Sequence, residues 1–112
     1  MINGMTAAIH ETAILGAGAK LGSNVRIGPY AIVEDEGELG SDCFVEAHAI
    51  VKNGTVLGDG CRVGHFAVVG GEPQYLAFDP ATSSGVKVGK GTRIGEGVTI
   101  HRSIREKEVT CV

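Results

Sequence analysis

From Ile9 onward an aliphatic residue returns at every sixth position: Ile9, Leu15, Leu21, Ile27, Val33, Leu39, Val45, Val51, Leu57, Val63 and Val69. After a break the series resumes at Val88, Ile94 and Ile100, which makes fourteen hexads in 112 residues. A fixed period sustained over this length marks a stacked repeat, and a period of six marks a parallel β-helix of hexapeptides. Four residues after each leader comes a second, smaller series: Ala13, Ala19, Val25, Ala31, Gly37, Cys43, Ala49, Thr55, Cys61 and Ala67. One bulky and one small inward position per hexad predict a narrow interior, closed by three sides into a triangular coil of eighteen residues. Glycine often follows the leader (Gly16, Gly22, Gly28, Gly40, Gly58, Gly64, Gly70, Gly89, Gly95). Those positions are expected to be corners that need backbone angles other residues resist. Residues 1–8 precede the register as a lead-in, and residues 9–112 form a single β-helix domain.

The series fails after Val69. The segment GGEPQYLAFDPATSSGVK, Gly70 to Lys87, carries no leader and adds thirteen residues beyond one hexad. Excursions of this length from a rigid scaffold are commonly where function resides. At the other end, Val112 falls in register twelve residues after Ile100, so the chain stops on the first residue of a hexad. A coil edge left open there is a hazard that repeat proteins cap, and the expectation is that this is the N-terminal piece of a longer protein.

Composition narrows the partners. Glycine makes up 18 of 112 residues while 43% are hydrophobic, which excludes both a disordered and a collagen-like chain. A net charge of −3 with signs interspersed argues against nucleic acid as the main partner. There is neither an apolar run long enough to span a membrane nor a secretory signal pattern, so the expected location is cytoplasmic. Cys43 and Cys61, eighteen residues apart, share a hexad position and are predicted to stack on neighbouring coils as free, buried thiols. The absence of C-x-x-C spacing speaks against structural zinc.

Of the four histidines, His10 and His101 follow a leader directly, and His48 and His65 lie elsewhere in their hexads; no pair has metal-ligand spacing. His101 stands out because it lies on the first full coil after the insertion. If the insertion replaces part of one corner, Glu34, Lys52, Gly70 and His101 form one column, with Glu34 and Lys52 an exposed ion pair. Lys20, Arg26, Arg62, Arg93 and Arg105 all fall five residues after a leader, a candidate basic strip for an acidic partner or phosphate. No nucleophile elbow, Walker loop or dinucleotide fingerprint occurs.

The segments IGPYAIV, EAHAIVKNGTVLG, GGEPQYLAF and GVTIHRS together resemble the UDP-N-acetylglucosamine O-acyltransferases that begin lipid A synthesis, over about Ile9 to Ser103. The resemblance implies a left-handed parallel β-helix and a homotrimer with sites in clefts between subunits. It also implies transfer of a hydroxyacyl group from acyl carrier protein to the sugar 3-hydroxyl of UDP-N-acetylglucosamine, with no cofactor or metal. His101 matches the family's TIHR histidine at the nucleotide-sugar site, and Gln74 matches a loop glutamine there. Where the family has aspartate and then lysine, this chain has Tyr75 and Ala77; the Tyr75 hydroxyl can still donate a hydrogen bond. The loop is slightly longer than in the best-known members. The family's general-base histidine lies in a motif past Val112, so no catalytic residue is assigned here and the chain alone is expected to be inactive. Two alternatives stay open: a non-catalytic trimeric hexapeptide module that binds a nucleotide sugar or a protein, and a zinc site like that of γ-class carbonic anhydrases.

Overall fold

The computed structural model describes residues 8–112. In chain order the first strands are β1 (Ala8–Ile9), β2 (Ile14–Leu15), β3 (Lys20–Leu21), β4 (Arg26–Ile27), β5 (Ile32–Val33), β6 (Glu38–Leu39) and β7 (Phe44–Val45). They are followed by β8 (Ile50–Val51), β9 (Thr55–Leu57), β10 (Arg62–Val63), β11 (Val68–Gly71), β12 (Gly85–Val88), β13 (Arg93–Ile94), β14 (Thr99–His101) and β15 (Val109–Cys111). Every third strand returns to the same side, which gives three five-stranded parallel sheets: β1-β4-β7-β10-β13, β2-β5-β8-β11-β14 and β3-β6-β9-β12-β15. The chain is a left-handed parallel β-helix. Ala8 pairs with Arg26 and so joins the first strand, while residues 1–7 of the expected lead-in lie outside the described residues.

Both inward series fill the core. The leaders Ile27, Val33, Leu39, Val45, Val51, Leu57, Val63, Val69, Val88 and Ile94 are buried. Interleaved with them are the smaller Val25, Ala31, Cys43, Ala49, Thr55, Cys61 and Ala67. Large and small residues alternate because three short sides leave room for one bulky side chain per side. Thr55 is the one buried polar residue among those described, and its hydroxyl donates to Val69 O at 3.2 Å. Cys43 and Cys61 are buried free thiols on consecutive coils, donating to Gly58 O and Gly89 O at 3.2 and 3.1 Å. Burial pushes the Cys43 thiol pKa up.

The glycine expectation needs correction. Left-handed backbone sits three residues after the leader, at Asn24, Tyr30, Glu36, Asp42, His48, Gly54, Gly60, Phe66, Gly91 and Gly97, not one after it. At many corners the carbonyl of the residue after the leader accepts from the N–H three positions on, as in Gly28 O with Ala31 at 3.3 Å and Glu34 O with Gly37 at 3.0 Å. A positive φ at the third residue of such a turn is the type II arrangement. Most glycines directly after a leader are required by close approach instead: a Cβ on Gly58 would lie 2.8 Å from Lys90 N and one on Gly22 2.6 Å from Ser41 N, whereas at Gly89 and Gly95 it would meet only ordinary contacts, at 3.4 and 3.6 Å. Gly70 alone in that series combines both demands, with φ +92 and the Thr55 hydroxyl occupying the place of a Cβ.

Candidate functional site

The insertion leaves the prism at the corner between the second and third sheets. Its free part is shorter than the sequence suggests, because Gly70 and Gly71 extend β11 while Gly85 to Lys87 belong to β12; residues 72–84 form the loop. A bulge after Val69 brings Gly71, rather than Gly70, opposite His101. The expected column is therefore shifted by one residue at its upper end. At its lower end Glu34 and Lys52 do pair, Oε2 to Nζ, at 3.4 Å, and the other Glu34 oxygen accepts from Asn53 N at 3.0 Å. Both side chains are more than a third exposed, so this pair is worth well under about 1 kcal/mol.

His101 is half-buried at the end of β14, with its ring edge beside Gly71: a Cβ there would lie 3.8 Å from His101 Cδ2. Its carbonyl accepts from the Thr110 hydroxyl at 2.8 Å, which fixes the strand end. Gln74 and Tyr75 are exposed on the loop, and Tyr75 O accepts from Phe78 N at 2.9 Å, closing a tight turn. The structure thus sets His101 at the loop's root and leaves Gln74 and Tyr75 exposed on its outgoing leg.

The residue that organises this region was not singled out from sequence. Arg102 donates to Thr82 O at 2.5 Å and Pro80 O at 3.0 Å, and its guanidinium stands 4.9 Å from the centre of the Phe78 ring. Ser84 Oγ donates to Ser103 O at 2.6 Å, and Ser83 N to a Glu106 oxygen at 2.7 Å, so the returning leg is bound to the segment after β14. Under the loop lies a polar cavity of about 430 Å³ whose lining includes Glu34, Lys52, Glu72, Ser83 and Arg102. The only advance signal was that arginine follows histidine in TIHR.

The other candidates separate. Of the five basic positions only Arg26, Arg62 and Arg93 share a sheet, with Phe44 between the first two; Lys20 pairs with Glu38 on the third sheet and Arg105 lies 3.9 Å from Glu108. The strip divides because a hexad position returns to the same side only every third hexad. Arg26 and Arg62 lie 4.2 and 5.1 Å from the centre of the Phe44 ring. Glu46 binds Arg62 at 2.5 Å and His65 at 2.8 Å, and the Arg62 hydrogen bond holds its carboxyl below the ordinary carboxylate pKa. His48 is stacked between Tyr30 and Phe66 at 5.2 and 5.0 Å, and His10 meets the Thr12 hydroxyl at 2.9 Å. Among the described residues no three His, Cys, Asp or Glu side chains group as a metal site.

Comparison with known proteins decides the family. Residues 37–71 match the bacterial transferase hexapeptide (six repeats) family. The acyl-[acyl-carrier-protein]–UDP-N-acetylglucosamine O-acyltransferase of Sulfurihydrogenibium sp. (strain YO3AOP1) is 54% identical over 94 residues, covering 84% of this chain and 34% of that protein. Its counterpart in Paraburkholderia phymatum is 52% identical over 103 residues, covering 91% and 39%. The chain belongs to the UDP-N-acetylglucosamine O-acyltransferase family. It spans between a third and two fifths of the length of these relatives. A UDP-N-acetylglucosamine acyltransferase crystal structure from Bacteroides fragilis 9343 superimposes with a TM-score of 0.82 at 28% identity, covering 91% of this chain and 40% of that one.

Proposed function

We propose that this chain supplies the nucleotide-sugar-binding portion of an acyltransferase that moves a hydroxyacyl group from acyl carrier protein to UDP-N-acetylglucosamine. The observation that carries the reading is the 54% identity to such an enzyme over 94 residues, a stretch long enough to include most of the β-helix. In the reaction the sugar 3-hydroxyl attacks the thioester carbonyl, a base takes its proton and the carrier thiol leaves. The chain's part is to bind and orient: Gln74 and Tyr75 offer an amide and a phenol to sugar hydroxyls, with His101 behind them. Among the described residues the histidine paired to a carboxylate is His65, on a different corner from the loop, so proton abstraction is not assigned to this chain. Calorimetric titration with UDP-N-acetylglucosamine should show saturable binding, and an acyl-transfer assay on the chain alone should show none. Turnover by the chain alone would refute the division of labour; a folded chain indifferent to the sugar nucleotide would favour a scaffolding module.

The same reading places the protein in the cytoplasm as a homotrimer. Support for assembly comes from the outward face of the second sheet, where Ile14, Ile32, Ile50 and Val68 stand in register beside the exposed Tyr30 and Phe66. A lone aliphatic side chain at the surface is ordinary, but a ladder edged by aromatics is the composition of an interface. Light scattering should give three times the chain mass for the native protein and the chain mass for Ile50→Arg. A native monomer would remove the trimer from the proposal.

A further inference from the structure

One residue, Arg102, fastens both ends of the 72–84 loop beside the strand that bears His101, the departing end through its backbone and the returning end through its side chain. Where the loop departs, the backbone N–H of Arg102 donates to Gly71 O at 2.9 Å. Where it returns, the Arg102 guanidinium donates to Pro80 O and Thr82 O. In between, the same guanidinium covers Phe78, whose N–H closes the Tyr75 turn. The loop that carries Gln74 and Tyr75, the residues proposed above to meet the ligand, is therefore anchored through Arg102, the neighbour of His101. The guanidinium reaches the two carbonyls from two separate nitrogens while its flat face meets the Phe78 ring, a combination that lysine's single ammonium nitrogen does not reproduce.

We propose that Arg102 is a positioning residue: it holds the loop so that Gln74 and Tyr75 stand against His101, and it does not grip the ligand's diphosphate. An arginine next to a nucleotide-sugar site would ordinarily be assigned to phosphate. Here its donors are turned to loop carbonyls and its face to a ring. The proposal rests on the UDP-N-acetylglucosamine reading given above.

The test compares the native chain with Arg102→Lys, which keeps the charge, and Phe78→Leu, which removes the ring the guanidinium covers. Without ligand, hydrogen exchange over residues 72–84 and chymotryptic cleavage after Tyr75 and Phe78 are measured. Arg102→Lys should speed both about tenfold, equivalent to ~1.4 kcal/mol. Phe78→Leu should speed exchange less, and amides of the buried coils should stay protected in both variants, which shows that they fold. The Kd for UDP-N-acetylglucosamine should rise as the reciprocal of the fraction of molecules whose loop is closed. Unchanged loop protection in Arg102→Lys would overturn the proposal, and weaker binding with a fully protected loop would assign Arg102 to the ligand instead. If the native chain does not bind the sugar nucleotide, the functional reading falls and the site role with it. The exchange data, taken without ligand, would still decide whether Arg102 is the clamp.

Discussion

Gly58 and Gly91 lie on the same corner one coil apart, and replacing each with alanine separates two reasons for a glycine. Gly91 has φ +68 and open space around its missing Cβ. Alanine there meets only the left-handed backbone penalty, about 1–2 kcal/mol. Stiffening of the unfolded chain offsets about 0.4–1 kcal/mol of it, leaving ~0.5–1 kcal/mol. The same corner position already carries Asn24 and Asp42 at φ 57 and 62, so the fold tolerates side chains at that angle. At Gly58 the added Cβ lies 2.8 Å from Lys90 N and 3.1 Å from Gly89 C, both backbone atoms of the next coil. No rotamer change can relieve that contact, so the cost falls near the upper end of the overpacking range, about 3 kcal/mol, or ~2 kcal/mol after the same offset. With an unfolding entropy of about 2.1 cal/mol/K per residue, each kcal/mol moves the Tm of this chain by ~4 °C. Thermal unfolding followed by circular dichroism should therefore drop by ~8 °C for Gly58→Ala and by ~2–4 °C for Gly91→Ala. A Gly91→Ala loss equal to or larger than that of Gly58→Ala would refute the close-approach argument and restore the backbone-angle explanation.

Further outcomes follow from the charged and thiol groups. Glu46 titrates below an ordinary carboxylate because Arg62 stabilises its ionised form. Its contribution to stability is therefore present above the unfolded carboxylate pKa and is lost as pH falls through the lowered folded value. Urea unfolding of native and Glu46→Gln proteins should differ at pH 7, and the gap should close only as pH falls below the ordinary carboxylate pKa of about 4.3 and through the lowered folded value; a gap that persists at the acid end would mean that packing, not charge, is lost. In the native state a thiol reagent should label Cys111, the exposed cysteine, and leave Cys43 and Cys61 unreacted until urea is added. Rapid native labelling of Cys43 would contradict the closed core.

The six-residue register made the prism, its inward positions and the paired burial of Cys43 and Cys61 readable, because each follows from a period and a side-chain volume. The family resemblance pointed to the loop and His101 together. What stayed hidden depends on where chain passes chain. The glycines after the leaders looked like turn residues, yet for most of them the need is set by the neighbouring coil, as with Gly22 and Ser41, nineteen residues apart in the sequence. The basic strip looked continuous until hexads were sorted by side, whereupon Phe44 joined Arg26 and Arg62 and Lys20 departed. The apolar ladder of Ile14, Ile32, Ile50 and Val68 was hidden for the same reason, each member lying just before a leader in every third hexad. The grip of Arg102 on Pro80 and Thr82 required the path of an aperiodic loop, which no period encodes.

The insertion also bears on how the molecule forms. Below it, neighbouring strands join residues eighteen apart, as with Arg26 and Phe44; across it the separation becomes thirty-one, as with Arg62 and Arg93. Closing the longer segment costs only about 0.5 kcal/mol more, since loop entropy grows with the logarithm of length. Coils can nucleate on their neighbours and grow along the axis, and the step over the insertion should slow that growth about twofold. Because that cost changes so little with length, residues 72–84 can be lengthened, shortened or rewritten with almost no penalty in folding speed, which leaves the loop free to vary while the prism stays fixed.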